Sequence, residues 1–157
     1  MQNLTSKAKF LKKEYIADLQ KIAANTQPLW GKMNFQQMVE HMAEYVAMAY
    51  GNPEMELTIP EDKVEKAQDW LKTEKPFKEN TPNSLLPETP RPVEFSTVAE
   101  AIADLQNEIN NFFNEFDTVK KKYVMNPFFG ELDYGMSIQL LYKHATHHLR
   151  QFGMEIR

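Results

Sequence analysis

The sequence contains no cysteine. That excludes disulfides, thiolate metal ligands and a cysteine nucleophile of the protein's own. A metal site must then use nitrogen and oxygen ligands, which points to zinc, nickel, iron or manganese rather than an iron–sulfur cluster. No run is long and apolar enough to span a bilayer. The first fifteen residues scatter lysines around no apolar centre, unlike a signal peptide, so the expected location is cytoplasmic. The net charge of -4 gives no basic footprint for nucleic acid. No segment shows the alternation expected of a sheet.

The composition, 42% hydrophobic and 25% charged over 157 residues, is that of one folded unit with a real core, so residues 1–157 are expected to form a single domain. Four amphipathic stretches stand out. Leu4 to about Ala24 repeats apolar residues at three- and four-residue steps, with lysines and acids on the other face. The second follows Asn34, whose spacing to Gln37 is that of a capping box, and closes at Gly51-Asn52-Pro53. The third follows Thr97 and Glu100, a second capping box, and runs to about Lys122, with Lys120 to Lys122 at its negative end. The fourth, DYGMSIQLLYKHATHHLRQF, starts at Asp133 and stops before Gly153.

Seven of the nine prolines fall between residues 52 and 95. One short helix is expected there, from Glu61 to about Lys72, and the remainder excludes regular helix or central strand. So long a connection inside a compact domain reads as a crossover. The expected fold is all-α, a four-helix bundle with a long Pro-rich crossover between its second and third helices.

Three of the four histidines lie in the last stretch. His144 and His148, four apart, share a helix face, while His147 points about 100° away. His41 sits in the apolar stripe of the second helix. In a bundle, side chains from facing helices can converge on one ion, and three histidines with an open fourth position is the pattern of a catalytic zinc. The open position would hold water, and the metal would lower the pKa of that water or of an incoming thiol. Distal ring nitrogens need partners, for which Gln37, Glu40, Glu44 and Gln151 are candidates. Spacing alone leaves a second reading open: histidines that pack beside a core, or that sit at a helix end and interact with its dipole. Ala145 after His144 excludes the HExxH zinc-protease motif.

The run NPFFGELDY…KHATHHLRQFG, with WGKMNFQQMVEHM around His41 and KPFKENTP in the connection, resembles the DinB-like superfamily over most of the chain. The resemblance implies a four-helix bundle, often a homodimer, with one divalent metal, zinc or nickel foremost, on His41, His144 and His148. Leu149 and Arg150 follow His148, where many relatives carry arginine-glycine. Some members are metal-dependent transferases that use a low-molecular-weight thiol. The resemblance thus implies transfer of such a thiol to a small electrophile, in a pocket near Trp30 and Phe128-Phe129. Metal-dependent hydrolysis and a non-catalytic, stress-related metal-binding module are the alternatives. Glu40 or Glu44 is the candidate general base, and a solvated helix face is the other reading of Glu40.

Overall fold

A computed structural model describes residues 1, 3–119 and 122–156. It is mostly helical. The first amphipathic stretch forms α1 (Leu4–Lys9), a π-helical segment (Phe10–Glu14) and α2 (Tyr15–Gln20). The helix ends about four residues earlier than its periodicity predicts. The periodicity does not show the π segment. Lys7, expected among the solvated lysines, is buried.

α3 (Phe35–Ala49) begins as predicted. Asn34 Oδ1 accepts from the Gln37 N–H, and Gln37 Oε1 accepts from the Asn34 N–H, both at 2.8 Å. α4 (Val64–Leu71) follows a short 3₁₀ turn, Glu61–Lys63. α5 (Val98–Thr118) is capped by the Thr97 hydroxyl, which accepts from the Glu100 N–H at 3.2 Å. The expected box is only half made, because the Glu100 carboxylate accepts from Ser96, one residue before the cap. Val119 is already extended. Lys120 and Lys121, expected to close this helix, lie outside the described residues; Lys122 pairs with Glu115 at 2.7 Å.

α6 (Tyr134–Gln151) is capped by Asp133, which accepts from the Met136 N–H at 2.9 Å. It ends as Gly153 predicts. Gly153 adopts φ +86°, the Gly153 N–H donates to Arg150 O, and the Met154 N–H donates to Leu149 O. These two bonds form a Schellman motif, which satisfies carbonyls the helix end leaves free.

The expectation of no sheet is corrected. β1 (Val124–Asn126) and β2 (Gly130–Leu132) pair antiparallel, with Val124 opposite Leu132. Three-residue strands are too short to show period-two alternation. The turn is set by Asn126, whose Oδ1 accepts from the N–H groups of Phe128 and Phe129. Gly130 has φ +74°, and a Cβ there would lie 2.7 Å from Val64, so the ribbon sits hard against α4.

α3 packs along α5, and α1 along α6. Their apolar faces meet in one core, with Tyr15 and Leu19, Phe35, Met38 and Met42, Leu105 and Phe112, and Ile138, Ala145 and Leu149 all buried. Each such large side chain contributes roughly 1.5–3 kcal/mol by leaving water.

The irregular connection is tied to this core by polar side chains. The last carbonyls of α4 lack partners within the helix. Gln139 Nε2 donates to Leu71 O and Thr73 O, at 3.1 and 2.9 Å. Lys143 Nζ donates to Lys75 O at 2.7 Å and stands 4.0 Å from the Trp70 ring centroid. Lys7 Nζ reaches both Gln139 Oε1 and the Glu74 carboxylate, each at 2.7 Å. This network fixes the chain leaving α4, and so brings Phe77 against the histidines of α6.

Candidate metal centre

His41 comes from the middle of α3, and His144 and His148 come from successive turns of α6. Their Nε2 atoms meet: His144 Nε2 is 3.0 Å from His41 Nε2 and 2.9 Å from His148 Nε2. The three form a group whose ligand atoms all lie within 4.8 Å of one another. His41 and His148 are buried. All three rings are held neutral. Burial pushes His41 down to about 4, with Arg91 and His147 adding to the effect. Burial, then the neighbouring histidines, hold His144 well below its ordinary value. The same holds for His148, partly opposed by Gln151.

The protonation pattern follows from the neighbours. Gln151 Nε2 donates to Trp30 O at 2.9 Å, which turns its Oε1 toward His148 Nδ1 at 2.7 Å. An amide oxygen only accepts, so His148 Nδ1 carries the proton and His148 Nε2 offers a lone pair to the centre. A single proton on His144 Nε2 can make a linear bond to only one of its two close neighbours. The other close nitrogen contact is then left without a hydrogen bond. A cation takes all three lone pairs together, and nitrogens bound at roughly 2.0–2.1 Å to adjacent positions of one ion lie about 3 Å apart. With His41 Nε2 so engaged, the proton falls on His41 Nδ1, a buried atom with no hydrogen-bond partner. The donor set and its spacing therefore fit a divalent metal of the imidazole-binding kind.

Aromatic rings surround the group. Tyr45, one turn after His41, has its ring 4.6 Å from that of His41 and 4.9 Å from that of His144. Its hydroxyl accepts from Asn83 Nδ2. The Phe77 ring is 6.3 Å from His144 and 6.0 Å from His147. His147 lies between Phe77 and Trp30, 5.5 Å from the latter, and hydrogen-bonds the Phe77 backbone.

The other expected residues are placed as follows. Gln151 supports His148. Trp30 acts through its carbonyl on Gln151 and through its ring on His147. Gln37 spends its side chain on the α3 cap and on Arg91 O at 2.9 Å. Glu40 accepts from the Glu94 N–H and from Gln36, so its carboxylate holds the connection. Glu44 faces Arg91 at 3.4 Å on the exposed side. Phe128 sits in the ribbon turn, and Phe129 stacks on Trp70 at 6.3 Å. Tyr45, Phe77 and Asn83 were not anticipated. Tyr45 carries a signal, since it follows His41 at the same four-residue step that relates His144 to His148; Phe77 lies in KPFKENTP, one of the segments that carry the family resemblance, and Asn83 carries none.

No curated protein and no solved structure matches the chain significantly. The family model of the DinB superfamily matches residues 13–152, a span that takes in His41, His144 and His148, and the chain belongs to that superfamily.

Proposed function

We propose that the chain is a metal-dependent enzyme of the DinB type. In this reading His41, His144 and His148 hold a divalent ion, zinc or nickel, and the reaction transfers a low-molecular-weight thiol to a small electrophile. The observation that carries it is the convergence of three Nε2 atoms with the tautomer of His148 fixed by Gln151. When bound, such an ion supplies Lewis acidity, stabilising a thiol as thiolate at neutral pH.

The chain's own residues do the rest. His41, His144 and His148 stay neutral, the protonation state a ligand needs. Gln151 orients the His148 ring. Tyr45 and Phe77 limit water beside the triad, which favours thiol transfer over hydrolysis. Neither Glu40 nor Glu44 is hydrogen-bonded to a triad histidine, which weakens the case for either as general base.

The same reading takes the four long helical segments as a four-helix bundle in one domain, with residues 52–95 as its crossover. The packing of α3 on α5 and of α1 on α6 supports this. Among the described residues no helix is long and apolar enough to cross a membrane. A homodimer completes the reading, and the family resemblance is its support.

The test is metal analysis of protein purified without a histidine tag. We expect about one zinc or nickel per chain, lost in His41→Ala and His144→Ala. Equal metal in parent and variants would falsify the metal site. After cobalt substitution, adding a small thiol should shift the visible spectrum. An unchanged spectrum removes thiol transfer and leaves metal binding standing.

A further inference from the structure

A cavity of about 20 Å³ lies between α3, the β1–β2 ribbon and α6. Its apolar walls include Met48 and Ala49 of α3, Met125 of β1 and Leu140 of α6. Tyr45 and His144 also line it, and the Tyr45 ring stands 4.9 Å from that of His144. The cavity therefore borders the triad. His144 is the half-buried member of the three, while His41 and His148 are buried. Met48, Ala49, Met125 and Leu140 are only half-buried, so the cavity opens to solvent.

The ribbon wall is held from outside. Thr58 donates to Pro127 O through its N–H and its hydroxyl, both at 2.9 Å. Gln68 Nε2 donates to Phe129 O at 2.8 Å and to Glu131 O at 3.1 Å. These bonds fix the ribbon against the crossover and α4, so it does not collapse onto α3 and α6. Among the described residues no charged side chain lines the cavity, and its other polar members are Asn126 and Ser137. Asn126 Oδ1 is already spent on the ribbon turn.

We propose that this cavity seats the electrophile, as an uncharged molecule with an alkyl end of about two carbons. The inference rests on the reading of the triad as a centre for thiol transfer, and it names the acceptor. Three observations carry it. The space exceeds the roughly 10–15 Å³ that admits a water, and is far short of the cavity of about 150 Å³ that holds benzene. The walls are uncharged, so an ion entering them would lose its hydration without gaining a partner. Thiols of the amino-acid type carry such charges, which leaves the cavity to the other reactant. The two methionines can shift to admit a small group, since their side chains are unbranched and adaptable.

Nuclear magnetic resonance of methionine methyl groups tests this without turnover. The chain has nine methionines, and Met48→Leu and Met125→Leu assign the two signals needed. Adding 1-propanol should shift both. Propionate and propylamine, its charged counterparts, should bind at least about tenfold more weakly, as should benzyl alcohol. Ala49→Phe fills the cavity and should abolish the shifts while zinc content holds. Should that variant not fold, Leu140→Phe on the facing wall carries the same test. Met48→Ala enlarges the space and should raise benzyl alcohol affinity by about tenfold, read at Met125. Cysteine should not displace 1-propanol; displacement would assign the cavity to the thiol and overturn the proposal. Equal affinity for 1-propanol and propionate, or shifts that survive in the folded filled variant, would overturn it too. His41 does not line the cavity, so His41→Ala separates this inference from the metal reading: it should lose zinc and keep the shifts. Zinc bound with no shift from 1-propanol sinks the cavity alone, and shifts in a parent that binds no zinc sink the metal centre alone.

Discussion

Gln151 Oε1 accepts the proton of His148 Nδ1 at 2.7 Å, while the other end of the same amide donates to Trp30 O at 2.9 Å. One side chain thus reads the backbone of the loop before α3 and fixes a ring of the metal centre. The loop must come close for this. A Cβ on Gly31 would lie 2.9 Å from Gln151 Nε2, and Gly31 adopts φ +78°.

This relay makes Gln151 a determinant of metal affinity. Gln151→Leu keeps the side-chain bulk and removes both hydrogen bonds. Loss of a partner of this kind typically costs 10–100-fold in metal affinity. Gly31→Ala should move affinity in the same direction by displacing the amide and straining the backbone. Competition with a coloured chelator measures both. Parent-like affinity in Gln151→Leu would show that His148 needs no such support.

Bound metal should also stabilise the fold, because the triad joins α3 to α6 and an unfolded chain has no such site. At a free ion concentration of a hundred times Kd, mass action gives about 2.7 kcal/mol. Melting curves of apo and zinc-loaded protein should separate clearly. The difference should vanish in His144→Ala; if it persists, zinc is stabilising the chain elsewhere.

Acid should destabilise the metal-free protein in a defined window. In the unfolded chain His41 takes up its proton near pH 6.5. In the fold burial delays this to about 4. Between those values the unfolded state binds more protons, so stability falls as pH falls, at about 1.4 kcal/mol per pH unit for each such histidine. His144 and His148 are shifted in the same direction and steepen the fall. Above pH 6.5 the three contribute no slope. Urea denaturation of the apo protein at pH 5 and pH 7 checks this, and equal midpoints would mean the rings are not held neutral.

Part of this site was legible in the sequence, for a physical reason. Helix periodicity turns spacing into direction, so His144 and His148 could be put on one face and Asn34, Asp133 and Gly153 could be read as helix ends. The remainder depends on side chains that reach far along the chain. Lys7 read as a solvated lysine because its partners, Glu74 and Gln139, are 67 and 132 residues away. Gln37 read as support for His41, yet the cap it completes already occupies its amide. Phe77 and Asn83 lie in the proline-rich connection, where no period exists to carry direction, and β1 and β2 are too short to show one.

The network around Lys143 and Gln139 should matter for stability and not for metal. Gln139→Leu strands the carbonyls of Leu71 and Thr73 and leaves Lys7 with Glu74 alone. A buried polar group without its partner costs about 1–3 kcal/mol. The melting temperature should fall while metal content per folded chain stays at the parent value. A drop in metal content without loss of stability would place Gln139 in the site instead.

Tyr15 gives a prediction of the opposite sign. Its ring is fully buried at the centre of the core, and its hydroxyl has no hydrogen-bond partner. Burial accordingly raises its pKa far above that of an ordinary phenol. Taking a hydroxyl out of water without compensation costs on the order of 1–3 kcal/mol. The ring's contacts with Phe10 and the rest of the core are apolar and would survive its removal. Tyr15→Phe should therefore leave stability unchanged or raise it by about 1 kcal/mol. That direction is rare for a core substitution, since most destabilise. A midpoint in urea lower than the parent's by more than the error of the measurement would mean that the hydroxyl is bonded in solution.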